Sequence, residues 1–274
     1  MQRQRVLLYL IGILESKGKF SKTIADKTLF LLSKECGFND KISFYSFYPY
    51  EYGPFSELYY YDLRRLDRDG CLKCEILTEK GKKEAEKLDK ELKSLVSDII
   101  ARFDGKNLIE YIYGKYPDYT VKSKLSSKIR AKPKPGFYSI GYEGKNIDSF
   151  LDILIRNGIE VLIDVRANPF SMNFVFTGKK LKEYLKKVGI DYIHLPELGI
   201  NGNLRKGLET KEDYAKLFEH YQDKILTKAN LGKIILEGKE KRIAIMCMEK
   251  DHESCHRGII ASELEKMEYE VIHL

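Results

Sequence analysis

A chain of 274 residues with 43% hydrophobic and 32% charged residues is too apolar for disorder and long enough for two separate cores. Its longest apolar runs, near 6–14 and 161–165, fall far short of the ~20 residues that a bilayer crossing needs, and no cleavage site for a signal peptide follows the first of them. The net charge of +7 is concentrated: residues 1–119 hold 21 basic and 19 acidic groups, residues 137–274 hold 21 and 22, and residues 120–136 hold six cations and no acid.

Apolar spacing predicts helices over 6–14 and 24–32, with Ser21 or Thr23 as cap of the second. Between Phe44 and Tyr61, ten of eighteen residues are Phe or Tyr, interrupted by Pro49 and by Gly53-Pro54. Such a stretch packs a core or, where rings are exposed beside cations, stacks nucleic-acid bases. From Ser56 to Asp69 a helix is predicted with Tyr59, Leu63 and Leu66 on its buried face, and Arg64, Arg65 and Arg68 turned to solvent, ending at Gly70. Cys71 to Leu77 reads as a short strand, and Leu77-Thr-Glu-Lys-Gly81 as a turn into a charged helix beginning near Lys82.

This order of two helices, a basic helix, a strand and a turn resembles a winged helix. The stretch from Leu108 to Tyr119, together with Tyr52-Gly-Pro-Phe-Ser56, also looks like small phage-associated and antitoxin-type helical domains. Both likenesses imply a binding module for nucleic acid or protein over residues 1–119, with Arg64, Arg65 and Arg68 as candidate phosphate contacts. A helical adaptor with ordinary aromatic packing is the plainer alternative. Cys71-Leu-Lys-Cys74 has zinc-knuckle spacing, but no second Cys or His pair stands nearby, which favours two structural cysteines.

Residues 120–136 combine Lys122, Lys124, Lys128, Arg130, Lys132 and Lys134 with Ser123, Ser126, Ser127, Pro133, Pro135 and Gly136, the composition of a solvated linker. Uncompensated cations bind phosphate backbones by releasing counterions. Lys122, Lys124, Lys128 and Arg130 are therefore candidate nucleic-acid contacts, unless the segment is simply a soluble tether.

In residues 137–274, strand-length apolar runs (137–142, 161–166, 191–195, 242–248, 270–274) alternate with stretches of helical period (147–156, 181–188, 214–235, 258–267). The fold class expected is α/β, a parallel sheet with helices on both faces, preceded by the mainly helical, winged-helix-like domain. Ligands of such sheets bind beyond the carboxyl ends of the strands. There stand Gly141-Tyr-Glu-Gly144-Lys145, a candidate anion-holding turn; Asp164 and Arg166 with Asn168-Pro-Phe-Ser171; His194 and Leu198-Gly199; and Cys247-Met-Glu249 followed by Cys255-His256-Arg257.

Tyr138-Ser-Ile-Gly-Tyr142, Asp164-Val-Arg166 with Pro169 and Ser171, Leu198-Gly199, Cys247-x-Glu249 and Cys255-His256-Arg257 occur in an order that resembles the domain of unknown function 488 family over residues 137–274. The resemblance implies one α/β domain and no settled activity. Met172 stands where members of that family often carry Arg, so an anion-binding role does not carry over to that position.

The polar residues suggest proton transfer by Asp164, Glu249 and His256, and substrate binding by Tyr142, Arg166, Ser171 and Arg257, with Asp164 and Arg257 in one site. An internal salt-bridge network is the structural alternative. Cys255, at the start of the last helix, suits a thiolate, but adjacent His256 points about 100° away along a helix and serves poorly as its base. Zinc on Cys247, Cys255 and His252 or His256 has suitable donors, yet the spacing between the cysteines exceeds a knuckle's. The expectation is therefore no metal and no cofactor. Five unevenly placed cysteines argue against a disulfide framework and for the cytoplasm.

The leading functional expectation is an enzyme acting on nucleic acid, DNA over RNA, as a hydrolase or glycosylase performing base excision or strand cleavage in repair or defence. The contrasting expectations are a non-catalytic winged-helix regulator that senses a small anionic ligand in a closed pocket facing a homodimer interface, and a toxin-antitoxin or defence adaptor. No membrane partner is expected.

Overall fold

The computed structural model describes residues 2–103, 105–125, 133–205, 207 and 210–274, and the chain divides into two compact units, Met1–Ile129 and Arg130–Leu274. Among the described residues no helix is long and apolar enough to cross a membrane. Lys128, Arg130 and Lys132 lie outside the described residues.

The first unit contains α1 (Gln2–Ser16), α2 (Lys22–Glu35), α3 (Phe38–Lys41), the hairpin β1 (Tyr48–Tyr50) and β2 (Gly53–Phe55), α4 (Glu57–Arg68), the hairpin β3 (Leu72–Lys73) and β4 (Ile76–Leu77), α5 (Glu79–Glu86), α6 (Lys90–Arg102) and α7 (Gly105–Lys115). Ser21 caps α2 by accepting from the amide of Ile24, and Ser56 caps α4 by accepting from that of Tyr59. Val6, Leu10, Leu29 and Phe30 are fully buried, as helical spacing requires. The aromatic segment belongs mostly to the core: Tyr45, Tyr48 and Tyr59 are buried, and Phe30 gathers Phe47, Tyr116 and Tyr119 edge-on at 4.7–5.4 Å. Tyr52 and Tyr61 remain exposed.

Several sequence expectations change here. Residues 71–77 form a hairpin instead of one strand, and the tight turn is at Cys74 and Glu75, both with positive φ, because a two-residue loop between right-twisted strands needs that backbone. Thr78 is not in a turn but caps α5, accepting from the amide of Gly81. The first residues of the expected linker pack on the first unit: Thr120 and Ser123 are buried, Ser123 shares a hydrogen bond with Tyr113, and Lys124 pairs with Glu51 at 2.7 Å. On α4, Arg64 is exposed, while Arg65 and Arg68 both lie near Asp69 (3.5 and 4.0 Å).

The core also encloses charge. Asp62 is fully buried and receives Arg3 Nε (2.6 Å), Gln4 Nε2 (3.0 Å) and the Tyr45 hydroxyl (3.1 Å). Asp26 is buried beside Lys27, whose Nζ lies 3.3 Å away and also donates to the Pro54 carbonyl. Burial raises the Asp26 carboxyl to about 6, and Lys27 only partly opposes this. A folded pKa above the unfolded one means that the folded state takes the proton first. Stability from this group is then greatest below about pH 4, and declines as pH rises through about 6. Asp26→Asn leaves Lys27 without its carboxylate but removes this pH dependence, so its melting temperature relative to that of wild type is expected to be higher at pH 7.5 than at pH 4. Melting curves at both pH values check this, and a variant less stable at pH 7.5 than at pH 4, relative to wild type, would refute it.

The second unit contains β5 (Gly136–Gly141), α8 (Ile147–Arg156), β6 (Val161–Asp164), α9 (Gly178–Lys187), β7 (Asp191–His194), α10 (Lys211–His220), α11 (Lys228–Glu240), β8 (Arg242–Cys247), α12 (His256–Lys266) and β9 (Val271–His273). The strands form one parallel sheet in the order β7-β6-β8-β5-β9. Phe137, Ile163, Ile243 and Ile245 build a core with Leu231 and Ile234 of α11 and Ile260 and Leu264 of α12. The alternate residues Ile140, Leu162, Ala244 and Met246 point to the other face, where α8 and α9 supply Phe150, Leu151, Leu181 and Leu185, all fully buried. The single helix expected over 214–235 is two helices. A π-helical turn at Tyr221–Ile225 ends α10, and Thr227 caps α11; the buried Tyr221 anchors the break by donating to the Leu198 carbonyl at 2.7 Å.

Candidate active site at the carboxyl edge of the sheet

The strand order fixes where a site can form. The chain leaves β6 towards β7 on one side and leaves β8 towards β9 on the other, so the loops diverge and open a crevice above the carboxyl ends of β6 and β8. A cleft of about 220 Å³ lies there, lined by Tyr142, Arg166, Ala167, Asn168, Phe170, Ile200, Gly202, Cys247, Met248, Glu249 and His256.

Arg166 enters from the end of β6 and is held by Asp164 in a bidentate pair, Nε to Oδ1 at 2.8 Å and NH2 to Oδ2 at 2.6 Å. The amide of Arg166 also donates to Asp164 Oδ1 (3.1 Å), and the Tyr192 hydroxyl donates to Oδ2 (2.7 Å). Asp164 is fully buried with both oxygens engaged, which leaves it no lone pair facing the cleft. The residue expected to transfer a proton is thus held against Arg166, whose guanidinium it orients. Arg166 NH2 further donates to the Phe176 carbonyl (3.0 Å) and NH1 to the Tyr142 hydroxyl (3.3 Å), while Tyr142 stacks on Phe176 at 4.5 Å. The carboxylate partner raises the Arg166 pKa further above its ordinary value in spite of burial. From β7, His194 Nε2 meets the Arg166 carbonyl at 2.8 Å.

From β8 the chain runs through Cys247 to Glu249, and α12 begins with Cys255 as N-cap and His256 as first residue. Glu249 Oε2 accepts from both thiols, Cys247 at 3.1 Å and Cys255 at 3.0 Å. His256 is buried, with Nε2 3.0 Å from the Val165 carbonyl and Nδ1 3.9 Å from each sulfur. A carbonyl partner requires a proton on Nε2, so in the neutral ring the lone pair of Nδ1 faces the thiols. Their closeness couples the two thiols: Cys247 and His256 lower the Cys255 pKa, while Cys255 and burial raise that of Cys247.

Arg257 is buried and does not meet Asp164. Its NH1 donates to the Glu249 carbonyl (2.5 Å) and its NH2 to the Lys250 carbonyl (2.9 Å), so it fixes the loop that carries Glu249. Ser171 is turned into its own loop, accepting from the amide of Asn173, and is absent from the cleft wall; Met172 is almost wholly exposed. The turn at 141–145 is no anion cradle. The amides of Tyr142, Glu143 and Lys145 donate to the carbonyls of Cys247, Met248 and Tyr142, and Lys145 Nζ donates to the Gly141 carbonyl.

Residues 146–264 match the family model of the Domain of unknown function DUF488. The match lies wholly in the second unit and includes Asp164, Arg166, Glu249 and both site cysteines, while Tyr142 just precedes it. No curated protein and no solved structure matches the chain, and the comparisons lend no support to the winged-helix likeness of the first unit.

Of the residues expected in the site, Tyr142, Arg166, Glu249 and His256 meet at the cleft, while Asp164 and Arg257 stand behind it. Tyr192 is not among the residues expected in the site, and His194 and Leu198-Gly199 are expected there only by their place after a strand. The alternation of β7 puts Tyr192 and His194 on one face, beside β6 in register, which was a usable signal. Leu198-Gly199 is visible as a motif, but the closeness of Gly199 to Ala167, where a Cβ would stand 1.9 Å from the Ala167 nitrogen, is a tertiary fact.

Proposed function

We propose that the chain is a hydrolytic enzyme acting on nucleic acid, DNA ahead of RNA, with its active site in the DUF488 cleft. The observation that carries this reading is the convergence, in one cleft, of the half-buried carboxylate of Glu249 with the guanidinium of Arg166 and the phenol of Tyr142. Glu249 would take a proton from attacking water. Arg166, preset in orientation by Asp164, would meet a phosphate oxygen. The exposed rings of Phe170 and Phe174 offer flat faces for a base, and the cations of residues 120–136 other than Lys124, which pairs with Glu51, would add sequence-independent affinity. Base excision or strand cleavage in repair or defence is the finer form of this reading, and the cytosol suits its free cysteines.

The test is incubation of the chain, with and without EDTA, with DNA and RNA carrying mismatched, damaged or modified bases. Products are expected from the wild type, and Glu249→Gln is expected to lose about 10²–10⁴-fold in rate while still binding. Replacing the six cations by Gln is expected to weaken binding and flatten its salt dependence by several units of log–log slope, at roughly 0.9 per lost phosphate contact on duplex DNA. Binding of a small anion in the cleft with no product from any substrate would favour the regulator reading instead.

A further inference from the structure

The Cys247, Cys255 and His256 donors have a geometry that the hydrolytic reading does not require. Their ligand atoms, two Sγ and one Nδ1, all lie within 4.8 Å of one another and are buried. Each sulfur is 3.9 Å from Nδ1. Bond lengths of ~2.3 Å to sulfur and ~2.0 Å to nitrogen put the donors of a tetrahedral zinc site roughly 3.5–3.8 Å apart, so the three atoms need move only slightly to share one ion.

We propose that Cys247, Cys255 and His256 form a zinc site whose fourth position faces Glu249 and the cleft. Four observations support it independently of donor type. The imidazole is committed to the right tautomer, since Nε2 is spent on the Val165 carbonyl at 3.0 Å, which is how a ligating histidine is commonly oriented. The ring is also fixed by packing, edge-on to Tyr221 at 5.4 Å. The donors sit on rigid elements, the last residue of β8 and the first turn of α12, instead of on a loop that must close. Cys247 and His256 reach the cleft wall together with Glu249, whereas Cys255 does not, so one side of the cluster is open to a ligand or water.

Soft sulfur donors with one imidazole select zinc over magnesium or calcium. Two thiolates neutralise the divalent charge, which removes the cost of burying it. Binding releases the two thiol protons to solvent, and Glu249, which accepts from both thiols, is the group placed to carry them out. Glu249 thus stands beside the fourth position as a hydrogen-bond acceptor. For that role alone the inference leans on the hydrolytic reading; the metal content does not.

The experiment is metal analysis of the full-length chain purified under reducing conditions, followed by replacement with cobalt(II). About one zinc per chain should be retained through gel filtration, and the cobalt form should show thiolate-to-metal charge transfer and the visible spectrum of a tetrahedral ion. Cys255→Ser and His256→Ala should lose the metal, Glu249→Gln should keep it, and a Cys71→Ser/Cys74→Ser double variant should keep it too. Zinc retained by wild type with no activity on any nucleic acid would leave the site standing and remove only the substrate class. A folded wild-type chain that keeps no zinc and gives no cobalt–thiolate band, even if the variants do not fold, would overturn the site. So would a Cys247–Cys255 disulfide in protein kept under reductant, or loss of metal from the Cys71/Cys74 variant alone.

Discussion

Asp164→Asn is expected to lower the melting temperature of the second unit by about 10 °C. Removing one partner of a buried ion pair strands the other, at about 3–5 kcal/mol, and each kcal/mol shifts the melting of a domain of this size by about 2–4 °C. The stranded group here is Arg166, whose Nε and NH2 both rely on the Asp164 carboxylate. Water cannot replace that carboxylate, because Asp164 is fully buried and Arg166 nearly so. Asparagine keeps one oxygen acceptor, but brings N–H groups towards either the guanidinium or the Tyr192 hydroxyl, both of which already donate. Adding Arg166→Met to Asp164→Asn removes the stranded charge and should recover part of the loss, a coupling that a double-mutant cycle reads directly. Thermal melts of the four proteins decide the matter. Asp164→Asn that melts within about 2 °C of wild type, less than ~1 kcal/mol, yet abolishes activity would make Asp164 a reacting group after all.

The pairing of Asp164 with Arg166 shows what the sequence could and could not disclose. Strand runs and helical periods gave the parallel sheet in its order of elements, and the rule that ligands sit beyond the carboxyl ends pointed to the correct loops. Which charge meets which was not legible. Asp164 and Arg166 are two residues apart beyond a strand, and only the backbone path after β6 folds the guanidinium back onto its own neighbour. Arg257 looked like a partner for Asp164 because the charges are opposite, yet it spends its donors on two backbone carbonyls. The sequence offers Cys247, Cys255 and His252 or His256 as donors but does not show that they meet, for a related reason. Seven residues separate the cysteines, and a spacing that long says nothing until a strand end and a helix start bring its ends together. In the first unit, the burial of Asp62 beneath Arg3 and Tyr45 joins residues far apart in sequence, so no local pattern announces it.

Gly141→Ala should disrupt the candidate site without touching any of its functional side chains. Gly141 ends β5 opposite Cys247, and its φ is not positive, so alanine meets no backbone strain; the obstacle is steric. A Cβ there would stand 1.8 Å from the Glu249 carbonyl oxygen, 2.7 Å from its carbon and 3.2 Å from Arg257 NH2. Ordinary contact is about 3.5–4.0 Å, so either β5 or the Glu249 loop must shift. The loop cannot yield cheaply. Arg257 holds the carbonyls of Glu249 and Lys250, Glu143 accepts from the amide of Lys250, and the amide of Glu143 donates to the Met248 carbonyl. Overpacking of this kind costs about 1–3 kcal/mol or more, and a displacement near 1 Å at a reacting group costs about 10²-fold in rate. Gly202 gives the control, since it lines the same cleft but nothing stands within 4 Å of its Cβ position and its φ is ordinary. Gly141→Ala should therefore melt about 3–10 °C below wild type, whereas Gly202→Ala should melt close to it. Equal melting of the two variants would mean that the Glu249 loop is far more yielding than its four hydrogen bonds imply.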